Sequence, residues 1–192
     1  MTIQHSESLA IAPLAGYPLV ALNKSRVIDN LRNSELQADT LLQFDQDSKP
    51  DMLFPFMDLS VEAQALGCDI RFHTDSSPDV VNHPFTDHDQ VDKVKMPNIK
   101  TDARFPVFID TVKRLKDKTN TKVAAYLASP FSLAGLMMGA ERLAIQTILD
   151  PNLVKKLMNF TTDLASKYAV LFEKAGADFI VLLDPTAVIL SP

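Results

Sequence analysis

Ala177-Asp178-Phe179-Ile180-Val181-Leu182-Leu183 is the stretch on which the fold turns. Five successive apolar side chains leave no polar face. Such a run reads as a strand of a parallel sheet, buried on both sides. A long helical pattern precedes it, with Leu153, Leu157, Phe160, Leu164, Tyr168 and Leu171 on one face. Asp150-Pro151 opens that helix with a capping carboxylate and a proline at its first position, and Gly176 ends it. After Leu183 come Asp184-Pro185-Thr186-Ala187 and the final Ser191-Pro192, with no further helical pattern. The sequence therefore leads us to expect an exposed sheet edge there.

Working back towards the N-terminus, Lys122–Ala128 reads as another buried strand and Ser132–Leu149 as an apolar helix broken near Gly135 or Gly139. Arg104–Lys118 is amphipathic, with Val107, Phe108, Thr111, Val112 and Leu115 on one side. Met52–Met57 reads as a strand that Pro55 would push to an edge or bulge. Ser60 would cap a short helix to Leu66, ended by Gly67, and Cys68–His73 alternates like a peripheral strand. Ser34 and Gln37 have the spacing of a capping box for a helix to about Phe44. Leu9–Ala12 reads as a first strand, and the Pro-, Asp- and Ser-rich residues 74–102 as a surface insertion into one domain spanning 1–192. Strands alternating with helices mean a parallel sheet with crossovers. An open doubly wound sheet and a (β/α) barrel both fit this pattern.

Composition narrows the function. Net charge is −5 and no basic cluster stands out, which argues against a nucleic-acid surface. No apolar run is long enough to span a membrane. A single cysteine, Cys68, rules out an internal disulfide, and the first 16 residues lack the pattern of a signal peptide, so a cytoplasmic setting is expected. With five glycines and neither phosphate-binding motif, a nucleotide-cradling loop is not expected.

In parallel α/β folds, ligands bind at the C-terminal ends of the strands. The residues there are Pro13 to Tyr17, Asp58, Ser129 with Phe131, and Asp184. A carboxylate at such an end can orient a ligand or receive a proton. The competing reading is local: Asp58 or Asp184 caps the next helix or shapes a turn. His83, Asp87, His88 and Asp89 sit close in sequence, but without the helical spacing of a ligand pair they read as a solvated loop. Cys68 and the methionines read as packing residues.

Four segments, at these strand ends and in the helices that follow, resemble the uroporphyrinogen decarboxylase superfamily, and more closely its methylcobalamin:coenzyme M methyltransferase branch. They are Ala12-Pro13-Leu14-Ala15-Gly16-Tyr17-Pro18, then Met57-Asp58-Leu59-Ser60-Val61-Glu62-Ala63-Gln64-Ala65-Leu66-Gly67. They continue with the run from Ser129-Pro130-Phe131-Ser132 to Gly139-Ala140-Glu141, and Ala175-Gly176-Ala177-Asp178 through Asp184-Pro185-Thr186-Ala187. The resemblance implies a (β/α)8 TIM barrel, of which this chain is expected to form about the first half. It implies that Asp58 occupies the position of the pocket aspartate, the candidate catalytic residue, with Tyr17, Ser129, Phe131 and Asp184 as further substrate-side residues. The family's decarboxylases carry arginines in the loop after the first strand, which pair with substrate carboxylates. Pro13 and Tyr17 stand there instead, which favours the methyltransferase branch.

That branch activates a thiol on zinc for attack on a corrinoid-bound methyl group. Its zinc ligands, a His-x-Cys pair and a later cysteine, match nothing in this sequence. The expectation is a chain that binds no metal itself and is inactive alone. Zinc and a methylcobamide would belong to the complete enzyme. Expected partners are a corrinoid protein or a small thiol, and a C-terminal half-barrel or a second copy of the chain. The alternatives are a carboxy-lyase of tetrapyrrole metabolism and a non-catalytic half-barrel binding module.

Overall fold

The computed structural model describes residues 10–189. A 3-10 turn (Tyr17–Leu19) leads into two short helices, α1 (Val20–Asn23) and α2 (Val27–Asn30), and then into α3 (Ser34–Ser48). Strand β1 (Met52–Leu53) is followed by α4 (Ser60–Ala65), the hairpin strands β2 (Ile70–Arg71) and β3 (Asp79–Val80), and α5 (His88–Lys93). Next come α6 (Phe105–Lys118), β4 (Lys122–Ala128), α7 (Pro130–Met138), α8 (Ala140–Leu149) and α9 (Pro151–Lys174). Strand β5 (Phe179–Leu183) and a 3-10 turn (Pro185–Ile189) complete the described chain.

The main sheet runs β1-β4-β5, parallel throughout, with Leu53 beside Val123 and Tyr126 beside Val181. The spatial order follows chain order, without the reversal that marks a doubly wound sheet. The two faces differ. Leu53, Val123, Ala125 and Leu127 join the large core shared with the helices. Phe54, Ala124 and Tyr126 form a separate small cluster on the opposite face, against which Met52, Val181 and Leu183 pack. Helices on one face and a side-chain layer on the other is the cross-section of a barrel wall.

Several local expectations change. Residues 10–12 form no strand; Ile11 keeps one main-chain bond, accepting from the Asp51 N–H at 2.9 Å, and Leu9 lies outside the described residues. Strand β1 stops at Leu53, because Pro55 has no N–H for a ladder and the Phe56 N–H goes instead to the Gln37 side chain at 3.1 Å. The cap of α3 is Asn33, which accepts from the Leu36 N–H at 3.1 Å, while Ser34 donates to Asp110. Residues 74–102 lie largely at the surface but are anchored to the core. They carry β3 and α5, and they bury Phe85, Val91 and Ile99 in the main core. Strand β5 is only half covered, with Phe179 49% and Leu182 58% exposed. Its neighbour among the described residues is β4 alone.

Other local readings stand. Asp150 caps α9, accepting from the Leu153 N–H at 3.1 Å, with Pro151 at the first position. The apolar helix breaks at Gly139, whose φ of 88° lies in the left-handed region.

Candidate functional site

The segment between Leu53 and α4 turns Asp58 inwards. Its Oδ1 accepts from the Ser60 N–H at 2.8 Å and from the Ser60 hydroxyl at 2.6 Å, a turn closed over two residues. Its Oδ2 accepts from Arg104, at the start of α6. Each nitrogen of the Arg104 guanidinium has a partner here, with Nε on Gln64 at 2.7 Å and Nη2 on Ser60 at 2.9 Å. Both side chains of the ion pair are buried. The guanidinium also lies 4.8 Å from the centre of the Phe72 ring, whose environment it shares with Arg32 at 4.2 Å. The helix itself starts after Leu59, so Asp58 is not its cap; the carboxylate orders the loop in front of it.

Glu62, one turn into α4, is fully buried. Its Oε1 accepts from the Ala128 N–H at 3.0 Å, tying α4 to the C-terminal end of β4. Burial raises its carboxyl from 4.5 to about 7, an effect the Ala128 hydrogen bond opposes.

A cavity of about 460 Å³ opens at the C-terminal side of β1. Its polar lining is Tyr17, Asp58, Ser60, Ser77, Asp79 and His83; Met57, Leu59, Pro78, Val80 and Leu136 supply the apolar part. The Tyr17 hydroxyl donates to the Met57 carbonyl at 2.5 Å. Burial pushes its phenol up to about 12, against the Ser77 hydrogen bond and with the Asp58 charge adding to the rise. Asp79 meets His73 at 2.8 Å across the β2–β3 hairpin. No lysine or arginine lines the cavity.

Of the candidate residues, Tyr17 and Asp58 meet at this cavity. Ser129, Phe131 and Asp184 do not line it. Ser129 caps α7, accepting from the Ser132 N–H at 3.3 Å. Asp184 accepts from the Ser132 hydroxyl at 2.7 Å, and that hydroxyl accepts in turn from the Thr186 N–H at 3.0 Å. Phe131 packs into the core. The acidic and histidine residues of the 83–89 loop separate: His83 reaches Leu136, Asp87 caps α5 through Gln90, and His88 meets Asp150. Among the described residues no three histidine, cysteine or acidic side chains are placed to hold a metal ion. No helix of the described chain is long and apolar enough to cross a membrane.

Arg104 and Glu62 are residues of this region that local reading does not single out, and it takes His83 only as part of a solvated loop. The charge partner of Asp58 lies 46 residues away and the acceptor for His83 lies 53 away, so neither pairing leaves a mark in the nearby sequence.

Comparison with known proteins agrees with this geometry. A family profile described as "Uroporphyrinogen decarboxylase (URO-D)" matches residues 20–192. A methylated-thiol–coenzyme M methyltransferase of Methanosarcina mazei is 28% identical over 69% of this chain and 36% of its own length. A methylcobamide:CoM methyltransferase of the same organism is 30% identical, over 69% of this chain and 39% of its own. A uroporphyrinogen decarboxylase of Thermodesulfovibrio yellowstonii is 26% identical over 84% of this chain and 48% of its own. The chain thus spans half or less of the length of these relatives. A solved structure, "methyltransferase from Methanosarcina mazei", superposes with a TM-score of 0.86 at 21% identity, over 94% of this chain and 55% of that one. The shared fold is the TIM barrel.

Proposed function

The chain belongs to the uroporphyrinogen decarboxylase family, and we propose that within it the chain serves corrinoid-dependent transfer of a methyl group to a thiol, not decarboxylation of a tetrapyrrole. One observation carries this reading: the cavity presents no cationic side chain, and the nearby guanidinium of Arg104 is already committed to Asp58, Ser60 and Gln64. A porphyrinogen with eight carboxylates needs cations to replace their hydration. Freeing Arg104 for that task would leave Asp58 buried without its partner. The methyltransferases among the relatives add weight in the same direction.

The reading implies zinc and a methylcobamide. The described residues do not fit the zinc: no three donors converge, and burial pushes the Cys68 thiol up to about 11, away from the thiolate that a metal requires. In this proposal the metal is held by residues outside those described, and the chain contributes the wall of the thiol site. Met57, Leu59 and Leu136 exclude water, while Tyr17 and His83 border the ligand. A corrinoid protein, or free methylcobamide, delivers the methyl group. A companion half-barrel or a second copy covers the open side of β5.

Calorimetric titration with two probes tests the reading. Saturable binding of 2-mercaptoethanol, with none for the octacarboxylate uroporphyrin, is the expected result. Tight uroporphyrin binding without thiol binding would establish the carboxy-lyase alternative instead.

A further inference from the structure

We infer that His83 is a ligand-binding residue of the cavity, its Nε2 accepting the hydrogen of the bound thiol; the inference rests on the thiol reading above. The His83 Nδ1 lies 2.7 Å from the carbonyl oxygen of Leu136 in α7. A carbonyl oxygen can only accept, so Nδ1 carries the hydrogen. In the neutral imidazole Nε2 then holds a lone pair. No protein donor among the described residues meets that nitrogen.

The ring is held as well as polarised. A Cβ on Gly139 would sit 3.4 Å from the ring Cδ2, so the bare glycine at the α7–α8 break leaves room for the imidazole to lie against it. The hydrogen bond to Leu136 fixes the tautomer and orients a side chain that borders the cavity. The neighbouring polar groups are already engaged. The Tyr17 hydrogen is on Met57, Asp79 is held by His73, and Asp58 is filled by Ser60 and Arg104. Nε2 is therefore an acceptor without a protein partner, on an exposed side chain at a cavity wall that also holds Met57, Val80, Leu136 and the Ser77 hydroxyl. His83 is exposed, so a ligand reaches Nε2 by displacing water; a thiol is a weak donor that water solvates poorly and can take that place. Accepting the S–H hydrogen also raises electron density on the sulfur, the atom that must act as nucleophile.

The bland alternative is that His83 only fastens the 81–85 segment to α7. His83→Asn separates the two. The asparagine amide reproduces the Nδ1 donor and supplies nothing at Nε2. Binding of 2-mercaptoethanol and of its S-methyl ether, 2-(methylthio)ethanol, is measured by calorimetry on both proteins at pH 8.5. Ring nitrogen shifts of His83 are read by long-range 1H–15N correlation. The expected result is an Nδ1–H ring, a wild-type preference for the thiol over the thioether, and roughly tenfold weaker thiol binding in H83N, with unchanged thioether binding. Thiol binding that is equal in the two proteins, or an Nε2–H ring, would overturn the inference and leave the thiol reading standing. Absence of thiol binding to the wild type would sink both.

Discussion

The Glu62 carboxylate and the Ala128 N–H meet at 3.0 Å in a fully buried setting, joining the first turn of α4 to the last residue of β4. The main-chain donor favours the ionised form, but burial penalises that form by more. The carboxyl is therefore raised from 4.5 to about 7. Its neutral form contributes stability that is fully present below pH 4.5 and is lost as pH rises through 7. At about 1.4 kcal/mol per pH unit, the loss is on the order of 3 kcal/mol. We expect urea-unfolding free energies to fall between pH 5 and pH 8. Glu62→Gln keeps an acceptor for Ala128 and should flatten that slope. A wild type equally stable at both pH values would refute this account.

Asp58 and Arg104 form a buried pair whose members have little use apart from each other. Asp58→Asn leaves a guanidinium in the core, and Arg104→Met leaves a carboxylate there. Each should cost about 3–5 kcal/mol. The double variant removes both uncompensated charges at once. It should cost less than the sum of the singles by about 1–3 kcal/mol. Denaturant unfolding of the four proteins gives the coupling directly, and strictly additive losses would mean that the pair is not the source of either effect.

These two networks mark where local reading ended. Asp150-Pro151 and Gly139 were legible because caps and breaks are settled within a few residues, by one side-chain acceptor or one φ value. The seven residues of β4 were legible because they are buried along nearly their whole length. Over residues 10–12 the expected strand was not, since an extended segment becomes a strand only if a neighbour supplies a ladder, and Ile11 finds one main-chain partner, Asp51. The apolar run in β5 was read as doubly buried, although composition reports only what a strand can tolerate, not whether a neighbour covers it. At the site, position at a strand end brought out Tyr17 and Asp58. It equally brought out Ser129 and Asp184, which the structure uses to cap and brace α7. Residues 74–102 looked like loop because their turn-forming composition outweighs three apolar anchors, Phe85, Val91 and Ile99.

Gly139 combines a backbone conformation that strains any side chain with a close neighbour, the His83 ring. Its φ is 88°, and a Cβ would press to 3.4 Å from the His83 ring. Gly139→Ala should destabilise by about 1–3 kcal/mol through backbone strain alone. It should also shift the His83 ring signals, because the added methyl would lie in contact with the ring. Gly67, at φ 92° with nothing within 4 Å of its Cβ position, is the control. Gly67→Ala should bring a comparable loss in unfolding free energy with no change at His83.

The outer face of β5 offers the opposite kind of test. Ile180 and Leu182 border a groove with Pro130, Thr162, Ala165, Ser166 and Ala169, and Leu182 keeps 58% of its surface in water. A side chain that exposed gives up little hydrophobic stabilisation when replaced, so Leu182→Lys should change unfolding free energy by less than about 0.5 kcal/mol. An open apolar edge strand is nonetheless a template for self-association, and a lysine on it opposes pairing. The variant should therefore scatter less light than the wild type at equal concentration while unfolding at the same urea concentration. Leu127 on β4 provides the contrast, since it is buried at 2% exposure and Leu127→Ala should cost about 2–5 kcal/mol. If Leu182→Lys proved as costly as Leu127→Ala, the outer face of β5 would have to be covered in solution by something that excludes water from it.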